Sequence, residues 1–218
     1  MKRKIIMLGA GGHARVMYAV LCTAGHSVEG CIAKEMPDNR WARQIAYLGG
    51  DDVLKKFIPA DVVLVNGIGS VDSTRLRREI FESAKKLGFS FLTVVHPSST
   101  IDDSVVLGEG AQVMAGAILQ CQVELGLNVL VNTGVIVDHD CRVGSHTHLA
   151  SGVCLSGSVT VGDEAHIGTG ASVIQEISIG DRALVAAGAV VTEAVPADAV
   201  VGGIPAKSLI FDTRKSKA

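Results

Sequence analysis

The chain has 218 residues, 48% hydrophobic and 19% charged, with a formal net charge of −2 when histidine is neutral. That balance excludes an intrinsically disordered chain, and a charge so near zero leaves no electrostatic footprint for nucleic acid or a membrane surface. Glycine is abundant at 25 residues, whereas Phe, Tyr and Trp number five, two and one, so the core is built from small and branched aliphatic side chains.

The five cysteines (Cys22, Cys31, Cys121, Cys141 and Cys154) form no C-x-x-C pair, and their number is odd. They read as small apolar residues of a reduced, cytosolic protein rather than as a disulfide frame or a zinc site. The basic start leads into a short apolar run that breaks at Gly9, which argues against a signal peptide. The uncharged run 183–192 is too short and too rich in Gly and Ala to span a bilayer.

In chain order, Lys4 to Leu8 has strand composition, GAGGHA follows at Gly9 to Ala14, and a helix is predicted from His13 to Thr23. Val16, Met17, Val20 and Leu21 fall on one face of that helix, and Gly25 ends it. Val28 to Ala33 and Asp61 to Val65 are the next strands, the latter followed by NGIGS at Asn66 to Ser70. A helix from about Ser73 to Leu87 carries Leu76, Ile80, Phe81, Ala84 and Leu87 at helical spacing and stops at Gly88. Phe89 to Val95 is a last strand before His96-Pro97. Strands alternating with helices predict a small parallel sheet covered by helices over residues 1–96.

GAGGHA fits the G-x-G-x-x-A phosphate-binding turn, placed between strand and helix. Glycines there let the backbone approach a phosphate at a helix N-terminus. A full dinucleotide domain needs two βαβαβ halves, and fewer than a hundred residues precede the next feature, so a nucleotide diphosphate fits better than a dinucleotide. Glycines that only close a tight turn are the alternative. His13, in the first helical turn, either touches a phosphate or sugar or is solvated.

From Ile101 onward the chain divides into sixteen hexads without a slip, from IDDSVV to VTEAVP, and every first position is Ile, Leu or Val. Fifth positions are nearly all small or β-branched. Gly108, Gly126, Gly144, Gly162 and Gly180 recur every eighteen residues, so three hexads make one coil. Each hexad is then a short strand and a turn, with glycines at the corners where turns favour backbone angles other residues resist. The result is a parallel β-helix over residues 97–218 with a C-terminal cap, of about five coils and ~25 Å tall at ~4.8 Å per rung.

A solenoid has no need of histidine, yet His139, His146 and His148 lie close together, with His166 further on. His139 sits between carboxylates in VDHDC, which is the composition of a general base whose tautomer an acid fixes. An exposed turn histidine between solvated aspartates is the alternative. His146 and His148 alternate along a strand, but no Cys or carboxylate spacing completes a tetrahedral metal set.

GAGGHARV, NGIGS, VHPSS, VDHDC, the hexads and GGIPAK together resemble the sugar O- and N-acetyltransferases of the PglD/NeuD family along the whole chain. The resemblance implies a Rossmann-like half-domain followed by a left-handed β-helix, a cytoplasmic homotrimer, and acetyl-CoA as co-substrate in the groove between neighbouring prisms. The N-terminal domain would hold a nucleotide-linked amino sugar, with no metal or permanent cofactor. Residue by residue it implies His139 as base and Asp140 as the acid that raises its basicity. It places His148 near the thioester and the Gly157 N–H on the acetyl oxygen. Thr169 and Ala187 would lie along the pantetheine arm and Lys207 near the nucleotide end of CoA. Gly11, Gly12 and His13, with Gly67 and Gly69 of NGIGS, would bind the sugar nucleotide. Relatives that bind UDP-sugars carry acids after the second strand, where this chain has Ala33-Lys34 and then Glu35. The implied reaction is N-acetylation of a UDP- or GDP-linked 4-amino sugar; acetylation of a sialic acid hydroxyl is the rival.

Overall fold

The computed structural model describes residues 3–37, 40–70 and 73–209; the ends of the two predicted domains at 1 and 218 lie outside them. The N-terminal region forms one parallel sheet from β1 (Lys4–Leu8), β2 (Val28–Ile32), β3 (Tyr47–Gly49), β4 (Val62–Asn66) and β5 (Ser90–Phe91), in the order β3-β2-β1-β4-β5. Because side chains alternate along a strand, Ile5 and Met7 face α1 (Gly12–Thr23) while Ile6 and Leu8 face α2 (Arg75–Lys86). The sheet is therefore covered on both sides, as its aliphatic strands predict.

Three local expectations change. Val16 of α1 is exposed, and the buried positions of that helix are Ala14, Met17, Val20 and Leu21. On α2, Phe81 and Ala84 are buried, but Leu76 and, just past the helix end, Leu87 are exposed. The single strand expected over 89–95 is two: Ser90–Phe91 extends the N-terminal sheet, and Val94–Val95 pairs with Gln112–Val113 as the first rung of the solenoid.

The hexads form a three-faced prism of parallel rungs. One face runs from Val94–Val95 to Leu184–Val185, a second from Thr100–Ile101 to Val190–Val191, and a third from Val106–Leu107 to Ser178–Ile179. Partners are eighteen residues apart, as in Ile118 with Ile136 or Glu124 with Arg142. From Val113 to Val191 every first-position residue is at most 3% exposed, so the repeat is the core. The final coil is shorter, with Leu184 paired to Val200.

The reason for the spaced glycines differs from the one their composition suggests. Positive φ belongs to the fourth residue of every hexad from Gly110 to Gly188, at 55–73°, and only six of those fourteen are glycine. Gln122, Asn128, Asp140, His146, Ser158, Glu164, Glu176 and Arg182 adopt the same angles. Rung-to-rung bonds such as Glu164 N–H to the Ser145 carbonyl, 2.8 Å, offset the ~1–2 kcal/mol cost of the left-handed conformation. The glycines spaced by eighteen sit at the second position, where a Cβ would strike the next coil. At Gly126 it would lie 2.7 Å from Ser145 N, and at Gly144 2.5 Å from the carbonyl carbon of Gly162. That space lets Asp163 and Asp181 fold over the rung below, accepting the Ser145 and Asp163 N–H groups at 2.6 and 2.9 Å.

The N-terminal domain docks on the first face of the prism. Met114 and Leu130 of that face join the cluster formed by Ala14 and Met17 of α1, and Asn66, Gln112 and Asn128 are all buried at the junction.

Candidate active site

The two glycine loops of the N-terminal domain lie side by side at the carboxyl ends of β1 and β4. Gly9 has φ +104°, which closes the turn after β1. A Cβ on Gly67 would meet the Leu8 carbonyl at 2.8 Å, and one on Gly69 would meet Cβ of His13 at 3.1 Å, so these two permit the loops to touch. Gly11 and Gly12 have no such reason. An added Cβ at Gly11 meets nothing within 4 Å, and at Gly12 only the Arg15 guanidinium at 3.8 Å. The start of α1 has no side-chain cap and no acid in its first turn. Its free N–H groups therefore face open space with a favourable dipole for an anion.

A groove of about 570 Å³ adjoins this point, lined by Gly9, Ala10, Ala33, Lys34, Glu35, Asp51, Ile68, the α2 residues Leu76 and Ile80, and Leu87 just past the end of that helix. The helical stripe that looks like core in sequence thus forms one wall of an open apolar groove with a charged rim. It is sized and placed for a small-molecule ligand at the ends of a parallel sheet.

Behind the loops a buried polar layer joins the domains. His13 turns its ring inward, Nε2 at 2.8 Å from Oε1 of Gln112, whose Nε2 donates to the Asn66 carbonyl at 2.8 Å. The amide orientation makes His13 Nε2 the donor. Burial lowers the His13 pKa to about 4, so the ring is neutral, and what it leaves for a ligand is chiefly its backbone. His148 is 5% exposed: Nδ1 lies 2.7 Å from Ser70 Oγ, Nε2 lies 3.4 Å from Asn132 Nδ2, and the ring packs edge-on against His166. Burial, then the nearby His166 and Arg77, lowers its pKa to about 3. His146 bonds Asn128 at 3.1 Å and packs on Phe81, and burial lowers its pKa too. The histidine cluster of the sequence is therefore split, with three of its members, His146, His148 and His166, packed under the N-terminal domain.

His139 stands apart, at the corner between the second and third faces, opposite the docked face. Its Nδ1 is 2.8 Å from Oδ2 of Asp140, and its backbone N–H bonds Oδ1 of Asp138 at 2.8 Å. Asp140 occupies a left-handed turn position that Asp tolerates well, which turns its carboxylate onto the ring. The Asp140 hydrogen bond, with the charges of Asp138 and Asp140, raises the His139 pKa. Directly above in the column is Gly157, where a Cβ would lie 2.6 Å from both Cε1 and Nε2 of His139. Only glycine leaves the ring in place there. Gly157 N–H has no acceptor among the described residues. A fixed tautomer with a free Nε2 beside a free amide is the geometry of a base next to an oxyanion donor.

Thr169 and Ala187 stack at the corner between the docked and second faces, in a column whose next residues are Gly134, Gly152, Gly170 and Gly188, all at positive φ with open space around them except a 4.0 Å contact at Gly152. Lys207 lies in the terminal antiparallel pair and bonds Glu193 at 3.2 Å. Cys141 is buried inside the prism, donating to the Ser156 carbonyl, and burial pushes its thiol up to about 11. No group of three His, Cys, Asp or Glu able to hold a metal occurs among the described residues, and no helix among them is long and apolar enough to cross a membrane. Sequence reasoning missed Ser70, which closes NGIGS without a role of its own there, and Gln112, Asn132 and Arg77, which lie outside any motif.

Residues 4–84 match the family model of the PglD N-terminal domain. A mutant of perosamine N-acetyltransferase from Caulobacter crescentus, solved with CoA and GDP-perosamine, is 33% identical over 96% of this chain and 98% of its own, with a TM-score of 0.88. The acetyltransferase domain of PglB from Neisseria gonorrhoeae FA1090, solved with acetyl coenzyme A, is also 33% identical, over 96% and 100%, with a TM-score of 0.88. WeeI from Acinetobacter baumannii AYE is 26% identical over 95% and 100%, at 0.84. Comparison with curated protein sequences gives no match. A Rossmann-like half-domain, a left-handed β-helix, a matched N-terminal module and whole-chain likeness to such enzymes lead to one assignment: this chain belongs to the PglD/NeuD-type sugar acetyltransferases of the hexapeptide-repeat superfamily.

Proposed function

We propose that the chain transfers the acetyl group of acetyl-CoA to the amino group of a UDP- or GDP-linked 4-amino-4,6-dideoxy sugar. The observation that carries the reading is the His139–Asp140 pair, with Nε2 beside the free amide of Gly157. The glycines without structural need at the start of α1 and the groove beside them supply a place for the nucleotide. The perosamine enzyme, bound to CoA and a GDP-linked amino sugar, supports both halves.

In this mechanism the sugar amine first sheds its ammonium proton. Its nitrogen attacks the thioester carbonyl while His139 Nε2 takes the second proton, and Asp140 stabilises the resulting imidazolium. Negative charge on the carbonyl oxygen meets the Gly157 N–H, a contribution of ~3–4 kcal/mol for such donors. The tetrahedral intermediate then expels CoA thiolate, which is protonated by the imidazolium. No cysteine nucleophile is needed. Thr169 and Ala187 border the pantetheine arm, Lys207 its nucleotide end, and His148 with Asn132 the neighbouring wall.

His139 and the sugar-nucleotide groove lie on opposite sides of one prism, so the site is completed by another chain. Ile118, Ile136 and Val190 on the second face support a homotrimer with that face inward. Around a threefold axis this sets the His139 corner of one chain against the Thr169–Ala187 corner of the next. Thiol release from acetyl-CoA, measured with UDP- and GDP-linked 4-amino sugars and with sialic acid, tests the reading. Turnover on an amino sugar is expected; release with sialic acid alone would replace the amine by a hydroxyl.

A further inference from the structure

We propose that Arg77 is a positioning residue for the diphosphate of the nucleotide-linked sugar, holding the Ile68 carbonyl so that the Gly69 amide is aimed at the anion. This rests on the reading of the two glycine loops as the sugar-nucleotide site.

Arg77 lies in the first turn of α2 and is 1% exposed. Among the described residues it has no carboxylate partner. It donates to three backbone carbonyls, those of Ile68 at 2.8 Å, Asn66 at 3.3 Å and Asn128 at 3.4 Å, and its Nη2 is buried with no partner among the described residues. Burying a guanidinium without a counter-charge is costly, and uncharged donors would satisfy carbonyls at lower cost. A retained charge at this place is explained if an anion arrives nearby.

The backbone shows where. A trans peptide directs its N–H opposite to its C=O, so fixing the Ile68 carbonyl on Arg77 turns the Gly69 N–H away from the guanidinium. That amide has no acceptor among the described residues. Gly69 abuts His13, in the first turn of α1, so its amide joins the uncapped N–H groups of that helix. Donors from both loops thus converge with a buried positive charge behind them, which is the arrangement of an anion cradle. The field of Arg77 already reaches the same wall, where it opposes protonation of His13 and His148.

The test compares binding of GDP and UDP with binding of guanosine and uridine, in wild-type chain and in Arg77→Lys. The gain in affinity that the diphosphate adds to the bound nucleoside should shrink about tenfold or more in the variant, with KM for acetyl-CoA unchanged within about twofold. A purely structural role would lower the melting temperature and leave that gain intact, and this result overturns the proposal. Should Arg77→Lys fail to fold, amide NMR of the wild-type chain decides: the Gly69 resonance must shift on adding the nucleoside diphosphate and not on adding the nucleoside. A chain that binds neither GDP nor UDP overturns the underlying reading of the loops, whereas diphosphate binding with an unmoved Gly69 overturns only the role of Arg77.

Discussion

In the solenoid, Gly126 and Gly144 are pressed against the coil above, while Gly11 and Gly12 at the start of α1 face open space. The same residue therefore answers to packing in one region and to vacancy in the other. Gly157 crosses the division: it is in the solenoid, yet the atoms that forbid a side chain there belong to His139. Glycine content alone says nothing of function; what a Cβ would strike separates the cases.

This contrast can be broken by substitution, and the largest effect should come at the crossing point. Gly157→Ala displaces the His139 ring, so kcat should fall by about 10²–10³, approaching the loss in His139→Ala, with the oligomer intact by sedimentation. Normal turnover in either variant would remove the pair from the chemistry. Gly144→Ala should instead cost about 1–3 kcal/mol of stability, because the new methyl meets backbone that cannot yield, and should leave kcat unchanged well below the melting temperature. Gly11→Ala should do the reverse: stability within about 0.5 kcal/mol of wild type and a several-fold higher KM for the nucleotide sugar alone. A melting point lowered as much as in Gly144→Ala would make Gly11 a packing glycine.

The smallest effect concerns pH. In the proposed mechanism His139 acts as a base only when neutral, and Asp140 raises its pKa, so the acid limb of kcat/KM should lie above the ordinary histidine value of 6.5. Asp140→Asn removes the main cause of the shift, and the limb should move to lower pH while kcat falls. An acid limb that stays put would assign it to another group.

Much of this was legible in the sequence. The sixteen aliphatic first positions and the eighteen-residue period define the prism, because a repeat that stacks on itself shows its geometry directly. VDHDC is legible for the same reason, since the turn fixes where position three points. The left-handed turns at Gln122, Glu164 and Arg182 were hidden because rung-to-rung bonds override local preference. Leu76, Ile80 and Leu87 have the periodicity of a core face, and periodicity cannot tell a filled interior from an unfilled groove. Arg77 was invisible for the opposite reason: a charged residue on an amphipathic helix reads as surface, and only the docking of the solenoid buries it. The inward turn of His148 likewise depends on a contact seventy-eight residues distant, with Ser70.

The chain leaves the N-terminal sheet at Phe91 and enters the solenoid at Val94, so two residues separate the domains. Leu92 N–H is itself bonded to the Leu64 carbonyl, and Thr93 Oγ1 to the Gly108 carbonyl. Such a joint has no slack for a hinge. On the proposed function, a sugar nucleotide seated in the groove would be carried at a fixed offset from the prism, and alignment with a neighbour's acetyl donor would be set by assembly geometry rather than by closure of a lid. In such a trimer the entropic cost of bringing the two substrates together would be met when the subunits associate, once, and not again at each turnover.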